Sequence, residues 1–370
     1  MKLLIMSSST GGGHDMRANA LAELWSQEGG AVRICRPMED GTFVYGLGVW
    51  FYNFIQLRIP WFHQVYFRVL ENMNLHKGKG RLLGTANFRR QLHEFKPDIL
   101  FSVHAHLNHG YYDLAKHITN SRFKFMIFCG ELADGPGFSR HWINPEADFL
   151  GCPTSESAEA AIKRGMPRSK TFDCGFLLRK QFYCNDGSKD SQEFLESIGL
   201  KRDESFLLLG TGANGANQHL SVCRSLRISG KSITVVALCG NNSKLRRQLA
   251  AFGKSEGMKI LALPKLDATG MFFLLSKTKC LFARPGAGTT SEALACGTPI
   301  IFNSCGGIMP QEQNNLNFLK KRGHKILCTS KISKIPKLLE GGIPSLKISV
   351  SNGPNLLLES MKDGVCFRNS

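Results

Sequence analysis

Acidic side chains are in short supply in this 370-residue chain, which sets 29 Asp+Glu against 47 Lys+Arg for a formal net charge of +18. Such a deficit points to an anionic partner: a phosphorylated ligand, an acidic membrane surface or a nucleic acid. No recognisable RNA- or DNA-binding motif accompanies the charge, which argues against nucleic acid. Long apolar runs are missing too. Nowhere do the roughly 18 uninterrupted apolar residues of a spanning helix occur. The opening MKLLIM, Met1–Met6, is too short for a signal-peptide core and reads as the first strand of a cytoplasmic protein. The twelve cysteines, scattered from Cys35 to Cys366, never stand in a C-x-x-C spacing. That disfavours disulfides and zinc and leaves buried free thiols in a reducing compartment.

What the chain does have is a repeated alternation. Short branched-apolar runs at Leu3–Met6, Val32–Cys35, Ile99–Val103, Phe125–Cys129, Phe206–Leu209, Ile233–Leu238, Ile260–Leu263, Cys280–Ala283 and Ile300–Asn303 are separated by helical stretches. This is the pattern of parallel sheets covered on both faces. The series starts twice, with KLLIMSSSTGGGH and with SFLLLGTGANGANQ, each an apolar strand running into a glycine-rich turn. The polar stretch Phe182–Ser197 is the expected boundary, giving an α/β chain of two doubly wound domains, 1–180 and 181–350, with a short return segment 351–370. Ligands then belong at the carboxyl ends of the strands.

Two familiar phosphate motifs fail on inspection. Gly210–Gly215 matches G-x-G-x-x-G, but the next strand, SITVVALCGNN, lacks the acidic residue that a dinucleotide ribose needs. STGGGHD is not followed by the Lys-Ser/Thr of a P-loop. The richest segment is Phe282–Pro299: a strand ending at Arg284, a turn at Gly286 and Gly288, and a short helix expected from about Thr290 to Cys296. Free amides at that helix start make an anion site. Glu292 has two readings, a capping-box partner of Thr289 or an acceptor for the two hydroxyls of a ribose, and spacing alone leans to the cap.

One segment breaks the alternation. Thr42–Arg81 gathers Trp50, Phe51, Tyr52, Phe54, Trp61, Phe62, Tyr66 and Phe67, with Arg58 inside it and Lys77, Lys79 and Arg81 trailing. Aromatics beside a basic fringe suit a patch that dips into an anionic bilayer. The competing reading is a helix pair buried in the first domain's core or at a dimer contact.

The segment RPGAGTTSEALACGTPIIF followed by PQEQNN, together with SSSTGGGH, KPDILFSVHAHLNHG and VVALCGNNSKL, resembles the glycosyltransferases that include monogalactosyldiacylglycerol synthase, processive diacylglycerol glucosyltransferase and MurG. The resemblance implies a GT-B fold, with an acceptor domain and a UDP-sugar domain facing across a cleft, and inverting transfer without a catalytic metal or other cofactor. It assigns Glu292 to the ribose, and the Gly286–Thr289 turn (with Gly288), Gly12, Gly13 and Gly212 to the diphosphate side. Arg284 would help stabilise the leaving group, Leu266 would lie by the uracil, and Gln311 and Glu312 would touch the sugar. His14 is the implied base, with Glu131 its rival. His104 and the aromatic segment, including Trp50, Phe51, Phe54, Arg58, Trp61 and Phe62, fall on the acceptor and membrane side. The expected partners are a UDP-hexose and a membrane lipid, diacylglycerol first and a polyprenyl-linked saccharide second. A non-catalytic nucleotide-sugar-binding subunit is the alternative from another class.

Overall fold

The computed structural model describes residues 1–9, 12–40, 43–58, 62–72, 82, 84–183, 188–210, 218–348 and 353–363. The chain divides into two compact units, one of Met1–Arg179 with Met309–Asn315 and Val350–Ser370, the other of Lys180–Ile308 with Leu316–Ser349.

The first unit is built on six parallel strands: β1 (Lys2–Met6), β2 (Ala31–Cys35), β3 (Ile99–Ser102), β4 (Lys124–Phe128), β5 (Phe149–Cys152) and β6 (Thr171–Asp173). Their order is β2-β1-β3-β4-β5-β6. Both faces of this sheet are covered, which is why its strands are almost wholly apolar. Leu4, Met6, Leu100, Phe125 and Ile127 enter one buried cluster. Their alternate neighbours Leu3, Ile5, Ile99, Phe101, Met126 and Phe128 enter another. The second cluster takes in Leu21 and Trp25 of helix Gly13–Gln27 and also Leu357, Leu358 and Met361 of helix Gly353–Asp363. At about 1.5–3 kcal/mol for each large apolar side chain buried, those last three residues suffice to seat the return helix.

The second unit repeats the design with β7 (Phe206–Leu209), β8 (Thr234–Leu238), β9 (Ile260–Leu263), β10 (Cys280–Ala283), β11 (Ile300–Asn303) and β12 (Leu327–Thr329). The strand order is β12-β11-β10-β7-β8-β9, all parallel. Each unit therefore has one place where the strand order reverses: between β1 and β3 in the first, between β7 and β10 in the second. In open parallel sheets the crevice at that reversal is where ligands bind. The glycine loop after β1 and the loop after β3 flank the first reversal, and the Arg284–Gly286 turn after β10 borders the second.

Within the described residues the aromatic segment forms helices Phe43–Arg58 and His63–Asn72. The reading as a helix buried in the first domain's core fails for the first of these. Phe43, Leu47, Trp50, Phe51 and Phe54 are exposed, at 84%, 51%, 60%, 44% and 39%, while Ile55 is 1% exposed. Positions 43, 47, 50, 51 and 54 share one helical face, so the exposed residues form a continuous apolar stripe, and the rings of Trp50 and Phe54 stack at 5.6 Å. Val65 and Val69 extend exposed apolar surface onto the second helix. No helix among the described residues is long and apolar enough to cross a membrane. Trp61 and the basic fringe Lys77–Arg81 lie outside the described residues, as does the side chain of Arg58. The ten cysteines among the described residues are all free, seven of them buried.

Candidate active site

In the first unit the turn after β1 is held by carboxylates. Ser7 Oγ donates to Asp15 Oδ1 at 2.8 Å, and Glu39 Oε1 accepts from Ser8 Oγ at 2.7 Å and Ser9 N at 2.8 Å. Gly12 caps helix Gly13–Gln27 at φ 75°, a left-handed conformation that favours glycine. The helix then presents His14, whose Nδ1 lies 2.6 Å from the carbonyl oxygen of Val103 just beyond β3. A carbonyl can only accept, so Nδ1 carries the proton and Nε2 keeps its lone pair. His14 thus bridges the two loops at the strand-order reversal. Its pKa is lowered to about 4, first by burial and then by the positive charge of Arg17, against the opposing pull of the Val103 carbonyl and Asp15. At neutral pH the imidazole is a neutral acceptor.

Around His14 stand residues that neither motif nor periodicity flags. The buried Arg17, three residues on in the same helix, donates from Nη2 to the Gly130 carbonyl at 3.0 Å. Next to Gly130 is Glu131, whose pKa is raised to about 7, chiefly by burial, while a hydrogen bond from Trp142 and the charge of Arg17 restrain the rise. Trp142 Nε1 donates to Glu131 Oε1 at 3.4 Å, and its ring centroid lies 6.4 Å from that of His14. His104 meets His14 edge-on at 4.5 Å and continues into a row of rings, His106 at 5.5 Å and His141 4.9 Å beyond it. Both candidate bases, His14 and Glu131, and the acceptor-side His104 are therefore brought together. A partial clue to Arg17 existed in the sequence, since it falls on the same helical face as His14.

The loop carrying Glu131 packs against the first turn of helix Pro310–Lys321. A Cβ at Gly137 would sit 2.3 Å from the backbone nitrogen of Gln311, so glycine is required for this approach. That contact sets Gln311 and Glu312 beside the Glu131 loop within the first unit. Gln311 Oε1 is buried without a hydrogen-bond partner among the described residues. Glu312, only 2% exposed, accepts from Met309 N at 3.0 Å and so caps its own helix.

In the second unit helix Ala287–Cys296 starts directly after β10, earlier than the expected Thr290, with Gly286 as N-cap and no side-chain cap bond. Glu292 is therefore six residues inside the helix, and the capping-box reading is wrong for it. Glu292 is 7% exposed and stands one helical turn beyond Gly288. Gly288 and Thr289 lie half-buried in the first turn of the helix. Arg284 Nη1 and Nη2 donate to the carbonyls of Cys305, at 3.1 Å, and Gly307, at 2.7 Å, tying the turn to the loop after β11. Leu266 is half-buried between β9 and helix Ala268–Lys277, which Asp267 caps through Gly270 N at 2.8 Å. Gly212 lies outside the described residues.

Comparison with known proteins follows these two constellations. Residues 47–177 match the sequence model of monogalactosyldiacylglycerol (MGDG) synthase. A probable chloroplastic monogalactosyldiacylglycerol synthase of Glycine max is 26% identical over 361 residues, covering 91% of this chain and 63% of the relative. A processive diacylglycerol β-glucosyltransferase of Bacillus subtilis is 27% identical over 187 residues, 50% of this chain and 47% of the relative. The chain thus spans less than two thirds of the length of these relatives. Among solved structures, Acinetobacter baumannii MurG aligns at TM-score 0.54 and 16% identity over 98% of this chain and 99% of its own. Methanocaldococcus jannaschii UDP-GlcNAc 2-epimerase, in complex with UDP-GlcNAc and UDP, aligns at TM-score 0.57 and 12% identity over 98% and 100%. The fold is GT-B, and by sequence the chain is similar to monogalactosyldiacylglycerol synthases and diacylglycerol glucosyltransferases.

Proposed function

We propose that the protein is an inverting glycosyltransferase that moves a hexose from a UDP-sugar to the hydroxyl of a membrane lipid, diacylglycerol, while peripherally bound to the cytoplasmic face of a membrane. The observation that carries the reading is the 2.6 Å contact of His14 Nδ1 with the Val103 carbonyl at the strand-order reversal, which leaves Nε2 as the acceptor nitrogen. In the proposed step the acceptor O–H bond breaks and its proton passes to Nε2. The freed oxygen bonds to the anomeric carbon, and the electrons of the broken carbon–phosphate-oxygen bond leave with UDP. The open amides at Gly286–Thr289 stabilise the departing diphosphate, Glu292 takes the ribose hydroxyls, and Gln311 Oε1 takes a sugar hydroxyl. An unpaired buried acceptor costs about 1–3 kcal/mol, which a donating hydroxyl would recover. The UDP-sugar complex named for the epimerase and the diacylglycerol enzymes among the relatives support the same substrates. No cofactor or metal enters this scheme.

UDP release in a screen of UDP-glucose, UDP-galactose and UDP-N-acetylglucosamine with mixed lipids tests the proposal. Label should enter diacylglycerol; label in a polyprenyl-linked saccharide would move the protein to MurG-type chemistry, and silence with every donor would leave a binding subunit.

A Cβ at Gly286 would meet nothing within 4 Å, and its φ of −69° suits any residue. Gly286→Ala should therefore leave the melting temperature within about 2 °C while weakening UDP about tenfold, because the methyl group enters the diphosphate's approach; calorimetric titration and a melt check both halves. If UDP binds unchanged, the turn is not the diphosphate site.

The apolar stripe is assigned to the bilayer. Trp50→Ser with Phe54→Ser should lower binding to phosphatidylglycerol-containing vesicles about tenfold or more, since each ring forfeits on the order of 1.5–3 kcal/mol of burial. Flotation at two salt concentrations separates this loss from the electrostatic part of the attraction.

A further inference from the structure

Helix His63–Asn72 does two things at once. Its Val65 and Val69 belong to the exposed apolar surface, and its Glu71 reaches the loop that ends in Trp142. Glu71 Oε1 accepts from Ser139 Oγ, and Oε2 accepts from Arg140 N at 3.1 Å. Ser139 Oγ in turn accepts from His141 N at 3.2 Å, capping the short 3₁₀ turn Arg140–Trp142. The last residue of that turn, Trp142, donates to Glu131. An unbroken series of hydrogen bonds and one helical turn thus runs from the apolar helix to a carboxyl beside Arg17 and His14.

We infer that Glu71 is a positioning residue of the acid–base site, holding the Ser139–Trp142 loop so that the Trp142 indole stays on Glu131. The role deepens the proposed function, resting on it for the meaning of the site but not for the contact itself. A carboxylate with both oxygens engaged by one short loop fixes it more firmly than one bond would. The groups acting on Glu131 are Arg17 from helix Gly13–Gln27, Trp142 from this loop and Glu71 from helix His63–Asn72. They pull in opposite directions, which separates positioning from simple charge. The Trp142 hydrogen bond lowers the Glu131 pKa, whereas the Glu71 charge raises it. Deleting Glu71 as a charge would lower the Glu131 midpoint; deleting it as a clamp frees Trp142 and raises it.

The chain has four tryptophans, so ¹⁵N-indole labelling gives few signals, and Trp142→Phe assigns the relevant one. In the full chain the Trp142 indole N–H should titrate with Glu131, with a midpoint of about 7. In Glu71→Ala that response should vanish, and in Ser139→Ala, which removes the bond to Glu71 Oε1 and the cap on His141 N without removing a charge, it should vanish likewise. A Trp142 signal that still titrates in folded Glu71→Ala, at the same midpoint or a lower one, overturns the inference, as does a wild-type signal that ignores pH. If Glu71→Ala does not fold, Ser139→Ala decides by the same two outcomes. No donor or acceptor is present in this measurement. A protein silent toward every UDP-sugar would still give its answer, so failure of the inference and failure of the proposed function are told apart.

Discussion

His14→Ala should lower turnover by about 10³-fold while leaving UDP affinity within about twofold, because general-base catalysis by a positioned imidazole contributes on the order of 10²–10⁴. The split between the two readouts is the point. His14 belongs to the first unit and the Gly286–Thr289 turn proposed for the diphosphate to the second, so on that proposal a base can be lost without loss of the nucleotide's own contacts. His14→Gln is the stricter variant, since its amide N–H can still donate to the Val103 carbonyl while offering no basic nitrogen. Near-wild-type turnover in either variant would pass the role to Glu131.

The pH profile discriminates the same pair without mutation. A base works in its deprotonated form, so kcat/KM rises with pH through the base's pKa in the free enzyme. With His14 at about 4, the acid limb should fall below about pH 5 and the rate should be flat across neutrality. With Glu131 as base, at about 7, half the activity would already be gone at neutral pH. Burial is the larger cause of the His14 depression and Arg17 the second. Removing the Arg17 charge should therefore move the acid limb upward but only part of the way to the ordinary histidine value.

Where a strand is an unbroken apolar run followed by a turn or helix signal, the sequence announces it. The runs at Leu3, Phe206, Ile260, Cys280 and Ile300 became strands with bounds within a residue of the expected ones. The strands that went unnoticed are β5 (FLGC), β6 (TFD) and β12 (LCT). β6 and β12 are three-residue edge strands, too short for their periodicity to stand out from a loop, and β5 carries Gly151 and Cys152 where the others carry branched apolar residues. The start of helix Ala287–Cys296 was set too late because Gly288 reads as a turn residue. In the first helical turn, glycine's missing side chain costs little and keeps the free amides open. The site divides in the same way. His14, Glu131 and His104 were legible from motifs, but their meeting was not, since it depends on β1 lying beside β3. Arg17, Glu71 and Trp142 act through burial and hydrogen bonds across 68 residues or more in two of three cases, and no local pattern encodes such contacts. Spacing alone leans to a cap at Glu292, yet the bond of that kind is made by Glu312 on the separate helix Pro310–Lys321.

That misassignment sharpens what Glu292→Ala should do. A capping carboxylate supports its helix, and its loss would cost about 0.5–2 kcal/mol and a few degrees of melting temperature. Glu292 instead lies in the helix interior, 7% exposed, where a carboxylate is costly to desolvate and alanine is the best helix former. Its loss therefore takes no cap from the helix. Two hydrogen bonds from ribose hydroxyls to a charged acceptor are worth about 1.5–3 kcal/mol each, so UDP affinity should fall by about 10²-fold or more. The upward shift in melting temperature that UDP produces in the wild-type protein should disappear with it, because a ligand stabilises only the state it binds. Glu292→Gln keeps one acceptor oxygen without the charge and should lie between the two. A Glu292→Ala protein that melts several degrees lower yet binds UDP normally would return Glu292 to a purely structural role, and would take the ribose site away from helix Ala287–Cys296.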